Sequence, residues 1–259
     1  MARSKRLKTV TAGRLVFGVC YTQALGSDTP KARAEKTKCS SEARRRLNFR
    51  AAWQKLRLLL CCNFRRGDLF VTLTYDDEHL PANRKAAKKS AQLFIDRLRA
   101  SRKAAGEDLK YVYVTEEIVN DGNDRRLHHH MVISASQTRS DIELIRSLWT
   151  AGSNIDVMQL GAHALYSDDF LELAQYLCKE RNPDAKVYNV GDRCWCGSRN
   201  LSKPEVKSEL VDECVTVCAP PGARIIDRDS KTNEYGSYDY IVYLLPEPRM
   251  RPPTGRRSF

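Results

Sequence analysis

No apolar run in this chain of 259 residues approaches the roughly 20 residues that cross a bilayer. The basic N-terminus lacks a contiguous apolar h-region, so neither membrane insertion nor secretion is expected. There is no internal repeat and no low-complexity domain. Nine cysteines without an export signal fit free thiols in a reducing compartment. Cys194 and Cys196 lie a long stretch before Cys214 and Cys218, without the duplicated short ligand spacing of a structural zinc site. Cys61 and Cys62, at an apolar helix end, read as core.

Acidic residues are scarce in one region only. Residues 1–66 carry 17 Lys and Arg against 3 Asp and Glu, whereas the rest carries 27 against 29. The net charge of +12 is therefore concentrated at the N-terminal end, as expected of an arm or helix that meets a polyanion. Nucleic acid is the expected partner. The length suits one large domain, or one domain with an elaboration.

The most informative stretch is Arg126-Leu127-His128-His129-His130-Met131-Val132-Ile133-Ser134, whose β-branched, apolar C-terminal side reads as a strand. Strand alternation puts His128 and His130 on one face and His129 on the other. Two imidazoles about 7 Å apart on one face can bind a divalent ion if a neighbouring strand adds a ligand. Tyr111-Val112-Tyr113-Val114-Thr115-Glu116-Glu117 is such a strand. The turn-rich Asn120-Asp121-Gly122-Asn123-Asp124 between them predicts a hairpin. Glu116 and Glu117 are both available, and a shifted register would put His129 in the ligand set instead. A histidine cluster on a solvated strand edge is the simpler alternative.

Elsewhere, Leu15 to Tyr21 reads as a strand. Ser40 or Ser41 caps a helix reaching about Cys61, with Leu47, Trp53, Leu56 and Leu60 as its apolar stripe. Arg44, Arg45, Arg46, Lys55 and Arg57 give it a basic side, and a role on the DNA backbone is favoured. Leu69 to Tyr75 is a strand with Phe70, Thr72 and Thr74 on one face. Residues 84–104 form a second basic helix with Phe94, Ile95 and Leu98 inward. A helix from Ser140-Asp141 through Trp149, a short strand 154–159 and a helix from Asp168-Asp169 to Glu180 follow. Glu213 to Val217 and Tyr238 to Leu245 read as strands, and Pro246 onward as a disordered tail. The element order predicts an α+β fold with an antiparallel sheet and packed helices. Three segments are expected: a basic 1–40, a central domain over 41–205, and a β-rich extension with a basic tail over 206–259.

On the last central helix Tyr176 and Lys179 share a face. A phenol attacks a phosphodiester if its phenolate is stabilised, and an ammonium one turn away favours that anion. Two histidines, a carboxylate, a tyrosine and a lysine are the parts of a metal-assisted transesterification.

Phe70-Val71-Thr72-Leu73-Thr74-Tyr75, His128-His129-His130 and Tyr176-Leu177-Cys178-Lys179, in this order, resemble the three motifs of HUH-superfamily rolling-circle replication initiators. The resemblance is to the Rep endonucleases of single-stranded DNA phages and bacterial plasmids. Asn63-Phe64, Gly67-Asp68-Leu69-Phe70, Val114-Thr115-Glu116 and Ser198-Arg199-Asn200-Leu201 with Pro204 add to it, over about residues 40–205. It implies a ferredoxin-like or RRM-like palm with the histidine pair on a central strand. It further implies nicking of single-stranded origin DNA through a 5′-phosphotyrosine, a free 3′-OH for priming, and later rejoining. On this resemblance His128 and His130 bind Mg²⁺ or Mn²⁺ and Tyr176 is the single nucleophile. Lys179 positions the phosphate or protonates the leaving oxygen. Glu116 is preferred over Glu117 as third ligand because it shares a face with Val112 and Val114. Arg44, Arg45, Arg46, Thr72, Thr74 and Arg126 are DNA-contact candidates, though threonine is ordinary on a half-buried strand. A bacterial host cytoplasm and partners among host replication helicase and polymerase are also implied. An HUH relaxase or transposase shares the motifs. A non-catalytic RRM-like nucleic-acid-binding protein is the other alternative, although aromatic RNP motifs are absent.

Overall fold

The computed structural model describes residues 4–22, 42–119, 125–138, 140–184, 193–234 and 236–247. In chain order the strands and helices are β1 (Lys5–Ala12), β2 (Leu15–Thr22), α1 (Glu42–Asn63), β3 (Leu69–Leu73) and α2 (Arg84–Ala104). Then come β4 (Tyr111–Val119), β5 (Arg125–Ile133), α3 (Ile142–Leu148), β6 (Ile155–Gln159) and α4 (Leu171–Leu177). A two-residue strand β7 (Cys196–Gly197), β8 (Glu205–Val211), β9 (Arg224–Asn233) and β10 (Gly236–Leu244) complete them. The fold is α+β, with two five-stranded antiparallel sheets. No helix among the described residues is long and apolar enough to cross a membrane.

The chain divides into two compact units, residues 32–203 and residues 1–31 with 204–259. In the first, the sheet order is β6-β3-β5-β4-β7. Strand alternation sorts its side chains into two cores. Leu69, Val71, Leu73, Met131 and Ile133 face Phe94, Ile95 and Leu98 of α2 and Trp149 after α3. Phe70, Val112, Val114 and Val132 face Leu56 and Leu60 of α1 and Leu173 and Leu177 of α4. Helices therefore cover both faces of this sheet.

Helix α2 begins at Asn83, whose side chain accepts the Ala86 amide at 3.0 Å, an N-cap in place of a missing intrahelical partner. Its buried residues Ala87, Ala91, Phe94, Ile95 and Leu98 recur at helical period and form one apolar stripe. Arg102 at its far end is only 1% exposed and reaches Glu107 at 2.8 Å and Asp141 at 2.5 Å. A guanidinium so deeply buried persists only with such carboxylate partners.

Several sequence expectations change. Leu47 is exposed, outside the apolar stripe of α1. Arg57 is not on a basic solvent side: it is buried and paired with Asp169, and its Nε donates to the Asp169 carbonyl at 2.9 Å. That pair joins α1 to the entry of α4, so Asp169 serves a tertiary contact instead of the helix start. Helix α4 begins only at Leu171, after Phe170 adopts a left-handed φ of 55°. It ends at Leu177, and Lys179–Arg181 form a 3₁₀ turn.

The second unit has sheet order β8-β1-β2-β10-β9. Sequence reading separates residues 1–40 from 206–259; in the structure both contribute strands to this one sheet. β1 escapes prediction because Lys5, Arg6 and Lys8 interrupt its apolar alternation. Glu213 to Val217 is not a strand; it follows β8, and Val217 packs on Cys20 and Ile241. The Ser40 and Ser41 caps, the 120–124 turn, Tyr188 and the tail from residue 248 lie outside the described residues.

Candidate active site

The β4–β5 hairpin aligns Glu116 with His128, and Val114 with His130. β3 lies on the other side of β5 and aligns Thr72 with His130. Glu116, His128 and His130 have the same strand parity as Val112, Val114 and Val132, so all three project on the face covered by α1 and α4. Each is buried.

The three ligand-type side chains converge. His130 Nε2 is 3.1 Å and His128 Nε2 3.4 Å from Glu116 Oε2, and the two imidazole nitrogens are 3.1 Å apart. Atoms that share one ion at about 2.0–2.2 Å are separated by roughly 3–3.5 Å. Two imidazoles and a carboxylate thus fit a divalent cation in type and spacing, and they are the one such group among the described residues. Thr72 Oγ1, 3.1 Å from His130 Nδ1, fixes that ring from behind.

Electrostatics keep the cluster ready for a cation. Burial pushes the Glu116 carboxyl up, but hydrogen bonds from His128, His130 and Lys179 outweigh it and hold the group well below the usual carboxylate range. Burial lowers His130 in spite of Glu116, which favours the neutral, metal-binding imidazole.

Helix α4 brings Tyr176 over this cluster. Its Oη is 3.0 Å from His130 Nε2. Lys179 Nζ lies 4.0 Å from the Tyr176 ring centroid and pairs with Glu116 Oε1. Burial works against the lysine's charge, yet the hydrogen bond from Glu116 raises its pKa above the ordinary value. Tyr176 and Lys179 therefore reach the same side although only Tyr176 is within α4.

The 3₁₀ turn that carries Lys179 is tied to β4. Glu180 Oε1 accepts from Arg84 Nη2 at 2.7 Å and from the Glu117 amide at 2.7 Å. Arg84 Nη1 also donates to the Thr115 carbonyl at 2.8 Å. Glu117 faces this arginine, 3.5 Å away, so of the two adjacent glutamates only Glu116 meets the histidines.

His129 points to the opposite face and is fully buried. Its Nε2 is 2.7 Å from Tyr75 Oη and its Nδ1 3.0 Å from Thr115 Oγ1. Burial, reinforced by His128 and His130, lowers its pKa to about 3. A neutral, doubly hydrogen-bonded core histidine is what remains.

A groove of about 680 Å³ opens on the cluster. Thr72, Thr74 and Arg126 line it together with Glu116, His128, His130, Tyr176 and Lys179. Thr74 Oγ1 donates to the Asn154 carbonyl at 2.6 Å, and Arg126 pairs with Asp77. Gly152 permits this wall, since a Cβ there would lie 2.3 Å from the Thr74 carbonyl oxygen. Arg44, Arg45 and Arg46 are on the exposed part of α1 and are not among the groove residues. Arg46 contacts Glu42 at 2.9 Å. Sequence reading missed Arg84 and Glu180. Glu180 follows Lys179 directly, but nothing local marks Arg84, 96 residues away, as its partner.

No curated protein and no solved structure gives a significant match to this chain. A family model does: that of the ORF2-type replication-associated proteins, over residues 68–181. That span runs from the start of β3 to the end of the lysine-bearing turn and contains Glu116, His128, His130, Tyr176 and Lys179. The chain therefore carries a domain of the ORF2-type replication-associated protein family, in keeping with its resemblance to rolling-circle initiators.

Proposed function

We propose that this protein is a rolling-circle replication initiator that cuts single-stranded origin DNA by tyrosine transesterification and later rejoins it. The observation that carries the proposal is the approach of the Tyr176 hydroxyl to 3.0 Å from His130, inside the groove that also holds Glu116, His128 and Lys179. In this reading Tyr176 Oη attacks the scissile phosphorus. A P–Oη bond forms, the P–O3′ bond breaks, and the 3′-oxygen takes up a proton. The result is a 5′-phosphotyrosine and a free 3′-OH.

Glu116, His128 and His130 would hold the cation, Mg²⁺ or Mn²⁺. When bound there, it supplies Lewis-acid polarisation of the phosphate and stabilises the charge that develops on it. The chain's own cation at this position is Lys179. Its ammonium above the Tyr176 ring favours the phenolate, and it can give a proton to the departing 3′-oxygen. Thr72, Thr74 and Arg126 line the path of the strand, and Arg126 supplies a phosphate contact. Arg44, Arg45 and Arg46 act on the DNA backbone outside the groove. Attack by the freed 3′-OH on the phosphotyrosine reverses the chemistry and rejoins the strand.

The test is incubation of the full chain with single-stranded DNA carrying its origin sequence and Mn²⁺, followed by denaturing electrophoresis. A protein–DNA adduct that is absent with chelator and absent in Tyr176→Phe supports the proposal. A folded protein that gives no adduct on any origin strand contradicts it.

A further inference from the structure

The sheet in the second unit has two unlike faces. On one, Cys20 of β2 and Ile241 of β10 pack beneath Val217, with Leu7 and Tyr243 beside them. The other is read from the register. Arg6 is aligned with Tyr21, Tyr21 with Tyr238, and Tyr238 with Lys231. These four residues form one row across β1, β2, β10 and β9. Two residues along each strand, the next row on the same face is Lys8, Val19, Tyr240 and Asp229.

This face is accessible and mixed in character. Tyr238 is 46% exposed, Lys8 is exposed, and Tyr21, Val19 and Tyr240 are half-buried. The Tyr238 and Tyr240 rings are 6.2 Å apart. Adjacent strands are separated by about 4.8 Å, so Tyr21 sits directly beside Tyr238. Arg6 and Lys8 flank the aromatic patch on the β1 side, and Lys231 flanks it on the β9 side. The face also carries carboxylates, all on β9: Asp229, 3.4 Å from Lys231, and Asp227, which accepts the Tyr240 hydroxyl at 2.8 Å. The β1 edge of the patch is therefore positive, and the β9 edge is close to neutral.

We infer that this sheet face is a second nucleic-acid-binding site, which takes single-stranded DNA with bases on Tyr21, Tyr238 and Tyr240 and phosphates along Arg6 and Lys8. Aromatic platforms beside a cationic track are the general means of holding an unpaired strand without sequence preference. A duplex is a poorer occupant, because its base faces are stacked inside the helix and cannot reach a tyrosine ring. The choice of DNA over RNA rests on the replication reading above. The site itself needs none of the residues assigned to cutting. Its use would be to retain the displaced strand while the ends are processed elsewhere on the chain.

The experiment is fluorescence anisotropy of labelled dT30 with the full chain, in chelator so that only reversible binding is read. Tyr238→Ala is expected to weaken binding about tenfold, and Tyr238→Trp to retain it. Lys8→Glu is expected to weaken binding and to flatten its salt dependence by about one phosphate contact. Lys8 is exposed, so this variant decides the matter if Tyr238→Ala does not fold. Unchanged affinity in both variants overturns the inference. So does a 30-base-pair duplex that binds as tightly as dT30 and responds equally to Tyr238→Ala. A Tyr238→Ala protein that changes from dimer to monomer while still binding dT30 would mark the face as a contact between copies, and also overturns it. Adduct formation is not read here, so failure of the cutting proposal and failure of this one are separate results.

Discussion

The Tyr176 hydroxyl oxygen lies 3.0 Å from His130 Nε2, the same nitrogen that faces Glu116 at 3.1 Å. A helix residue and a strand residue 46 positions apart thus meet at the atom best suited to hold a cation. The contact depends on two separate structural decisions. Strand alternation selects the face for His130, and the Arg57–Asp169 pair fixes where α4 begins.

Metal binding should be visible in stability. Mn²⁺ at a hundredfold excess over its Kd is expected to stabilise the fold by about 2.7 kcal/mol. His128→Ala should abolish that increment while leaving the melt of the metal-free protein close to its starting value. Thermal melts with and without Mn²⁺ check this, and an increment that persists in His128→Ala would place the ion elsewhere.

Lys179→Met removes the cation above the Tyr176 ring and leaves the tyrosine in place. By analogy with the loss of a charge-stabilising donor, single-turnover cleavage should fall about 10²–10³-fold. DNA affinity should change far less. Equal losses in affinity and rate would make Lys179 a binding residue only.

Glu180 does not face the groove, yet it holds the turn that carries Lys179 through Arg84 and the Glu117 amide. Glu180→Ala should release that turn, and displacement by about 1 Å is enough for roughly 10²-fold in rate. Glu180→Gln keeps an acceptor oxygen and should recover most of it. A stability loss without a rate loss in Glu180→Ala would reduce the clamp to a fold element.

Glu107 gives the fold an acid-sensitive contact. The Ser136 hydroxyl above all, then the Gln137 amide, Arg102 and Thr138, lower its pKa from 4.5 to about 2 against the effect of burial. Because the folded pKa is the lower one, the unfolded chain binds more protons between these values. The stability from Glu107 is therefore complete above about pH 4.5 and is lost as the pH falls toward 2. Urea unfolding from pH 5.5 to 2.5 should show a shallower decline for Glu107→Gln than for the unaltered protein. Parallel declines would remove Glu107 from the account.

The α+β class and most elements of the cutting unit are legible in the sequence because period-two and period-3.6 patterns are strong there. The faces of β3, β4 and β5 follow directly, and with them Glu116, His128 and His130. What is not legible is long-range and polar. Arg57 looks like one more cation on a basic helix until Asp169, 112 residues away, buries it. His129 looks like a rival ligand until Tyr75 and Thr115 satisfy both its nitrogens. β1 is hidden because charged residues on its accessible face break the apolar alternation, and its partner strand β8 is about 200 residues distant. Such pairings carry no local signal.

The central claim is that Tyr176 becomes linked to DNA. Its most direct test is mass spectrometry of the protease-digested, nuclease-trimmed adduct formed with origin single-stranded DNA and Mn²⁺. The account predicts a nucleotide remnant on the peptide that contains Tyr176, with fragment ions that localise the added mass to that residue. A remnant on Tyr166, Tyr75 or any other side chain would contradict it, as would strand cleavage that leaves no remnant on the protein.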